Sequence, residues 1–190
     1  MLELLNVKKN PISIFVLMIS LIVFAMAQLT SSESVRFLAF EYSQLPQRWY
    51  AFLTYGFVHV DIRHIAVNMS LLIFIGIWVE RLIGSRRYIG LLICSIIAGS
   101  MTLWVRETAG IGFSAAASAL LFYYYFAFPL ERELPFNMPN IVLPIILTLI
   151  SVGSVVMGWM PAIGHYPHLA GAFIGLLFLG IFRKKHRPLQ

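Results

Sequence analysis

Ser114 and His168 are the residues of this chain whose chemical types could carry out catalysis together. A serine hydroxyl is a poor nucleophile until a neighbouring base accepts its proton, and a neutral imidazole suits that task. Attack on a carbonyl then creates an oxyanion, which needs preplaced hydrogen-bond donors. The available donors are the side chains of His64 and Asn68 and the backbone N–H groups near Gly112. No acidic residue lies near the outer end of either predicted helix that would carry the pair, so the pattern predicts a Ser–His dyad and not a triad.

Each of these residues has a simpler structural interpretation when it is taken alone. A serine on a membrane helix usually packs against a neighbour or bonds to its own helix. A single histidine or asparagine inside a membrane usually hydrogen-bonds across helices, although buried ionisable groups are often functional. The catalytic interpretation therefore depends on whether the fold brings the residues together.

The composition indicates an all-α membrane protein. Of the 190 residues, 59% are hydrophobic and 12% are charged, and the mean hydropathy is +0.83, whereas soluble domains carry about 25% charged residues. The formal charge of +6 comes from basic residues that lie between apolar runs, which is typical of topology signals and not of nucleic-acid binding. Cys94, the single cysteine, cannot form an intramolecular disulfide and is expected to be a buried small hydrophobe.

Six apolar runs are long enough to cross a bilayer of about 30 Å. We place them near residues 12–29, 58–79, 88–105, 113–129, 141–160 and 167–182. The fourth and sixth runs are short for a spanning helix. Because no repeat or linker interrupts the pattern, residues 1–190 are expected to form a single transmembrane domain.

The basic residues predict the orientation of these spans. Six spans place both termini on one side, together with the loops near residues 80–87 and 130–140. That side carries ten basic residues, which are Lys8, Lys9, Arg81, Arg86, Arg87, Arg132, Arg183, Lys184, Lys185 and Arg187. The other side carries only four, which are Arg36, Arg48, Arg63 and Arg106. The positive-inside rule therefore predicts cytoplasmic N- and C-termini.

Two features of the first 57 residues bear on processing and on the outer surface. The first run ends in an Ala-x-Ala pattern that resembles a signal-peptidase site, but it is long for a signal peptide, and we expect a retained helix. The outer loop, about 30–57, mixes aromatic and polar residues. This mixture suits a segment that lies in the outer membrane interface.

The predicted topology brings the polar residues to one depth. The second, fourth and sixth spans all enter from outside. His64 and Asn68, four residues apart, share one face of the second span, while Ser114 and His168 are each the second residue of their spans. Gly171 begins a Gly-x-x-x-Gly pattern, which allows close helix packing. Packing of the fourth span against the sixth would bring the Ser114 hydroxyl within reach of the His168 ring.

The chain resembles the rhomboid family of intramembrane serine proteases. The resemblance is carried by "RWYAFLTYGFVHVDIRHIAVNMS", "WVERLIGSRRYIGLL", "GFSAAASALL" and "HLAGAFIG", which follow in the family's order over residues 45–182. It implies a compact six-helix core of the bacterial type, with a hydrated cavity open to the outside. It also implies Ser114 as the nucleophile, His168 as the base, and His64 and Asn68 at the oxyanion. His59 corresponds to a position near the mouth of the cavity.

The resemblance is incomplete at two positions. Ala115 stands where most members have glycine, which would tighten its contact with the sixth helix, where Gly171 lies. Trp49-Tyr50 stands where Trp-Arg is usual, so the anchoring of the outer loop differs. Neither departure removes a catalytic group.

The expected activity is that of a serine endopeptidase that cuts a peptide bond in or near the outer end of a substrate transmembrane segment. The expected partners are a single-span membrane protein and the lipid bilayer, with no cofactor, metal ion or nucleic acid. The expected location is the bacterial inner membrane, with the active site on the extracytoplasmic side. The same motifs do not separate a general rhomboid from a rhombosortase-like enzyme, and they leave the oligomeric state open.

Other functions remain as alternatives. The first is a catalytically inactive rhomboid-like protein that binds membrane helices and guides their trafficking or degradation. The second is a metal site, although the HExxH pattern is missing, built from His59, His64, His165 and His168. A small transporter would be expected to show internal repeats and charged groups at mid-membrane, and the sequence has neither.

Overall fold

The computed structural model describes residues 10–160 and 164–182, and most of these are helical. In chain order the helices are α1 Pro11–Leu29, α2 Ala51–Thr54, α3 Ile62–Ile83, α4 Ser85–Val105, α5 Ser114–Ala127, α6 Val142–Met157 and α7 His165–Phe182. Short 3₁₀ segments connect them at Ser32–Leu38, Tyr42–Gln44, Tyr55–Phe57 and Pro135–Asn137. Both termini, with the predicted cytoplasmic residues Lys8, Lys9, Arg183, Lys184, Lys185 and Arg187, lie outside the described residues.

The long helices fall within or close to the six apolar runs of the sequence. α1, α3, α4 and α7 are long and apolar enough to cross a membrane, and α6 is a shorter apolar helix. α5 has only 14 residues and is buried along most of its length. The described fold is that of an all-α membrane protein.

The boundaries of α3 follow from its capping residues. The Asp61 side chain accepts a hydrogen bond from the backbone N–H of His64 at 2.9 Å, so the helix begins at Ile62 and not at the predicted residue 58. This hydrogen bond also holds the pKa of Asp61 below its ordinary value. A π-helical turn over Leu72–Gly76 interrupts the helix. Gly84, with φ +79°, ends it.

A small sheet ties the outer segment to the residues that precede Ser114. Strand β1, Phe40–Glu41, pairs antiparallel with strand β2, Ala109–Gly110. Phe40 is fully buried, and its ring packs edge-on against Phe52 at 5.2 Å and Tyr55 at 6.3 Å between centroids. The segment before α5 is therefore held on the bundle by the outer segment.

At the opposite end of the bundle, the buried carboxylate of Glu80 joins three helices. Its Oε1 accepts hydrogen bonds from the Ile12 N–H at 3.1 Å and the Ser85 hydroxyl at 2.7 Å. Its Oε2 accepts from the Ser13 N–H at 2.9 Å and the Ser13 hydroxyl at 2.7 Å. Glu80 therefore caps the first turn of α1, whose amides have no partner within the helix.

α5 is the central helix, and its most extensive contacts are with α7. α6 packs mainly against α7 and contacts α5 only slightly. The expectation for Cys94 is wrong, because this residue is exposed on the surface of α4. α4 is apolar on all sides, so its sequence does not indicate which face turns towards lipid.

Candidate active site

Ser114 and His168 lie on two helices whose backbones are in direct contact. Ser114 is the first residue of α5 and His168 belongs to the first turn of α7. A Cβ on Gly171 would overlap the carbonyl oxygen of Ala115 and lie 2.7 Å from its carbonyl carbon. The same relation repeats one turn later, where a Cβ on Gly175 would overlap the carbonyl oxygen of Ala119 and lie 3.0 Å from its carbonyl carbon.

This packing brings the amino-terminal ends of α5 and α7 together. The two helices run in the same direction, because Ala115 faces Gly171 and Ala119 faces Gly175. Ser114 and His168 are both partly exposed, and the three residues that follow Ser114 on α5 are buried. No hydrogen bond between Ser114 and His168 is present among the described residues. The structure therefore brings the two helix ends together and leaves the pair without a direct hydrogen bond.

Ala115 fits between two glycines. Its carbonyl faces Gly171 of α7, and its methyl group lies 2.7 Å from the position that a Cβ on Gly99 of α4 would take. The extra methyl at this departure from the family pattern is therefore accommodated by α4, while the approach of α7 to α5 is preserved. Sequence reasoning did not identify Gly99, because its importance appears only when α4 is placed beside α5.

His64 packs on the turn that precedes α5. Gly112 has φ +106°, a conformation that favours glycine, and a Cβ at this position would overlap the His64 ring. The N–H of Gly112 donates to the carbonyl of Tyr55 at 2.9 Å. As an oxyanion donor, Gly112 would first have to release this bond. What Gly112 supplies in this structure is the space for His64.

His59 packs against His64 and is 1% exposed. The two rings meet edge-on, with centroids 4.9 Å apart. His59 Nδ1 is 3.3 Å from the carbonyl of Phe57, and its Nε2 accepts from the N–H of Phe113 at 3.5 Å. Together these contacts fit a neutral imidazole that carries its proton on Nδ1.

Asn68 and His64 occupy one face of α3, as the spacing predicts. Asn68 is buried, and its Nδ2 donates to the carbonyl of His64 at 2.9 Å. An amide group carries a second N–H, which this bond does not use. His64 is partly exposed. The structure therefore places a partly exposed imidazole and a buried amide on the same face of α3.

A cavity of about 50 Å³ lies next to His168, between α5, α6 and α7. It is lined by Ser118, Phe122, Leu147, Thr148, Ser151, His168, Leu169 and Ala172. Sequence reasoning did not assign Thr148 or Ser151 to the site. Their spacing of three residues on an otherwise apolar helix is the signal that could have found them.

The four histidines in the described part of the chain form two ring pairs. His59 and His64 are one pair, and His165 and His168, with ring centroids 6.3 Å apart, are the other. Within residues 10–160 and 164–182, no three His, Cys, Asp or Glu side chains are grouped so that they could hold a metal ion.

Known proteins that are similar to this chain share one description. The family model described as Rhomboid domain matches residues 46–185. The rhomboid protease GlpG of Pectobacterium atrosepticum is 25% identical over 178 residues, which are 93% of this chain and 64% of that protein. The rhomboid protease GlpG of Haemophilus influenzae is 22% identical over 174 residues, which are 90% of each protein. The chain thus spans less than two thirds of the first relative.

Proposed function

This chain belongs to the rhomboid family, and on that premise we propose that it is an intramembrane serine endopeptidase that uses Ser114 and His168 as a catalytic dyad. His168 accepts the proton of the Ser114 hydroxyl as its oxygen attacks the carbonyl of the scissile bond. The protonated ring then gives this proton to the leaving amine, and an acyl-enzyme ester remains on Ser114. The observation that supports this proposal best is the backbone contact of α5 with α7 at Gly171.

The oxyanion of the attacked carbonyl needs donors close to Ser114. We assign this role to the side chains of His64 and Asn68, together with the backbone N–H groups of the first turn of α5, which have no acceptor within the helix. His59 positions the ring of His64 through their edge-on ring contact. Each such donor contributes about 3–4 kcal/mol to the stability of the transition state.

The proposed topology has six membrane-spanning helices, namely α1, α3, α4, α5, α6 and α7, with both termini in the cytoplasm of a bacterial cell. The 14 residues of α5 rise about 21 Å, which is less than the membrane core of about 30 Å. Since α5 begins at Ser114, the hydroxyl lies below the outer surface of the inner membrane. Water reaches it from the extracytoplasmic side.

The proposed substrate is the transmembrane segment of a single-span protein. The amides of a helix are hydrogen-bonded to each other, so the scissile bond must unwind into a polar site before it is attacked. α6 contacts α7 and little else of the bundle, and we assign it as the lateral gate. A cross-link between α6 and α3 is then expected to block cleavage, and unimpaired cleavage would contradict the gate.

A fluorophosphonate probe tests the proposed nucleophile. Wild-type protein is expected to react at Ser114 and to cleave members of a panel of single-span substrates, while Ser114→Ala does neither. Ser95→Ala is the matched control, because Ser95 is a buried serine whose hydroxyl bonds to the Leu92 carbonyl of its own helix. Labelling that persists in Ser114→Ala would refute the assignment. Binding of the panel without labelling or cleavage would favour an inactive rhomboid-like protein.

A further inference from the structure

The polar side chains of α6 are on its buried side. Ser151 and Ser154 are buried, whereas Leu149 is 67% exposed, Val152 45% and Val156 76%. A membrane helix exposes its apolar residues to lipid, so this exposure is expected. What is unusual is that the face turned towards the bundle is hydroxyl-bearing, and this face requires polar partners.

Two buried residues, one near the end of α6 and one at the start of α7, have no such partner. The Oγ of Ser154 and both ring nitrogens of His165 are buried without a hydrogen bond among the described residues, and the side chains are 3% and 6% exposed. Buried polar groups in native proteins are almost always hydrogen-bonded, to protein or to ordered water. These three atoms therefore lack the partner that buried polar groups normally have.

Ser154 and His165 each lie one helical turn from a residue that lines the cavity beside His168. Ser154 lies near the end of α6 and His165 begins α7, so both are at the end of the bundle where α5 starts. Ser151 is one turn further from this end along α6, and His168 is one turn further along α7. Ser151 and His168 both line the cavity, with Ser118 and Thr148. We call this set, Ser118, Thr148, Ser151, Ser154, His165 and His168, the α6–α7 seam.

We propose that the α6–α7 seam binds water and delivers it to His168 for hydrolysis of the acyl-enzyme, an inference that rests on the proposed function for its catalytic part. A bound water needs about 10–15 Å³ of accessible volume and two to four polar partners. The cavity of about 50 Å³ has room for a few such molecules. The seam supplies hydroxyl groups and imidazole nitrogens as partners.

Water fits the seam better than an alkyl chain does. An alkyl group would leave the hydroxyls of Ser151 and Ser154 and the ring of His165 without partners. Thr148 donates its hydroxyl hydrogen to the Pro144 carbonyl at 2.8 Å, but its oxygen still accepts hydrogen bonds. The cavity lining thus offers both donors and acceptors to a small polar molecule.

The chemical step at the end of the seam is the hydrolysis of an ester. A water oxygen attacks the acyl carbon while His168 takes one of its protons. The bond between the acyl carbon and the Ser114 oxygen then breaks, His168 returns a proton to that oxygen, and the carboxylic acid product leaves. A substrate segment bound at Ser114 would block the access of water from the extracytoplasmic side. Water that is held in the seam could still reach the acyl-enzyme.

The hydration of the seam can be measured without any protease assay. In a Cys94→Ala background, single cysteines at Ser151→Cys, Ser154→Cys and Val152→Cys are treated with methyl methanethiosulfonate in lipid vesicles. The reagent requires a thiolate, which forms only where water reaches the sulfur, so the two seam positions are expected to react at least about tenfold faster than position 152. Equal rates at positions 151, 152 and 154 would overturn the proposal.

The catalytic part is tested by separating acylation from deacylation. Thr148→Val keeps the side-chain volume and removes the oxygen, and Thr102→Val is its control, because Thr102 bonds to the Gly99 carbonyl of α4 outside the seam. Thr148→Val is expected to react with the fluorophosphonate at the wild-type rate. Its steady-state rate of cleavage should fall by about tenfold, because one hydrogen bond to the reacting water is lost. Since deacylation is then slower, acyl-enzyme should be detectable by mass spectrometry.

The possible results distinguish the two proposals. Cleavage by Thr148→Val at the wild-type rate, or an equal loss of labelling and of cleavage, would overturn the catalytic role of the seam. If the wild-type protein neither labels nor cleaves, the proposed function fails, and the catalytic role fails with it. Fast thiol modification would then still establish the seam as a water-binding site.

Discussion

Replacement of Gly171 by alanine tests the contact that brings the proposed dyad together. The new Cβ would lie 2.7 Å from the carbonyl carbon of Ala115 and 3.0 Å from its Cα, whereas carbon atoms in ordinary contact are about 3.5–4.0 Å apart. To restore ordinary contact, α5 and α7 must separate by about 1 Å. Because Ser114 and His168 lie on these two helices at the same end, their separation changes by a similar amount.

The expected effects on stability and on activity differ in size. Overpacking costs about 1–3 kcal/mol, but alanine is better than glycine in a helix by about 1 kcal/mol, so the net loss of stability is about 0–2 kcal/mol. Misplacement of a catalytic group by about 1 Å can lower the rate about 100-fold, which corresponds to about 2.7 kcal/mol of transition-state stabilisation. Gly171→Ala is therefore expected to lose activity while it remains folded.

The assay compares Gly171→Ala with Gly180→Ala on the same helix. A Cβ on Gly180 meets nothing within 4 Å, so this control makes the same chemical change without a steric one. We expect Gly180→Ala to keep its cleavage rate and Gly171→Ala to show a low kcat with little change in KM. The rate of fluorophosphonate labelling should fall in parallel. If both variants cleave at the wild-type rate, the helix contact does not position the dyad, and the reasoning is refuted.

Three further predictions follow from other contacts. Glu80→Ala removes the acceptor of the Ile12 and Ser13 backbone N–H groups and of the Ser85 hydroxyl. At about 1–3 kcal/mol for each buried group, it should lower the free energy of unfolding more than Ser85→Ala does, and equal losses in denaturant titrations would contradict this cap. Asp61→Ala should lower the free energy of unfolding by about 0.5–2 kcal/mol, because the α3 cap is lost, while Asp61→Asn should keep most of the capping stabilisation. Thermal unfolding of both variants measures the difference. Activity should be present above the pKa of His168 and be lost as the pH falls through it, because an imidazolium cannot accept the Ser114 proton; a pH profile of kcat/KM that stays flat in acid, in protein shown to be folded, would argue against this base.

The positions of the long helices could be predicted from the sequence because hydrophobic length alone decides them. The ends were less accurate where a single side chain sets them. α3 begins after Asp61 and ends before Gly84, four residues later than predicted at each end, since the cap and the positive φ override the apolar run. α6 ends at Met157, before the predicted residue 160, because Gly158 adopts a left-handed conformation with φ +70°.

The lipid-facing side of α4 could not be predicted, and Cys94 turned out to be exposed. The polar face of α6 could have been found from the three-residue spacing of Thr148 and Ser151, but their place beside the cavity depends on how α6 packs against α7. The contact between α5 and α7 through Gly171 could be predicted, because a Gly-x-x-x-Gly pattern allows two helix backbones to approach closely. The two strands that begin at Phe40 and Ala109 could not be predicted, because two residues are too few to show an alternation of apolar and polar side chains.

The placement of the proposed nucleophile and the proposed base on separate helices affects when the two groups become available during synthesis. Ser114 emerges from the ribosome well before His168, which belongs to the last described helix. A nascent chain that has inserted α5 therefore holds the proposed nucleophile without the proposed base, and we expect it to be unable to cleave membrane proteins that are being inserted beside it. Truncated translation products that end before α7 are expected to be inert for the same reason.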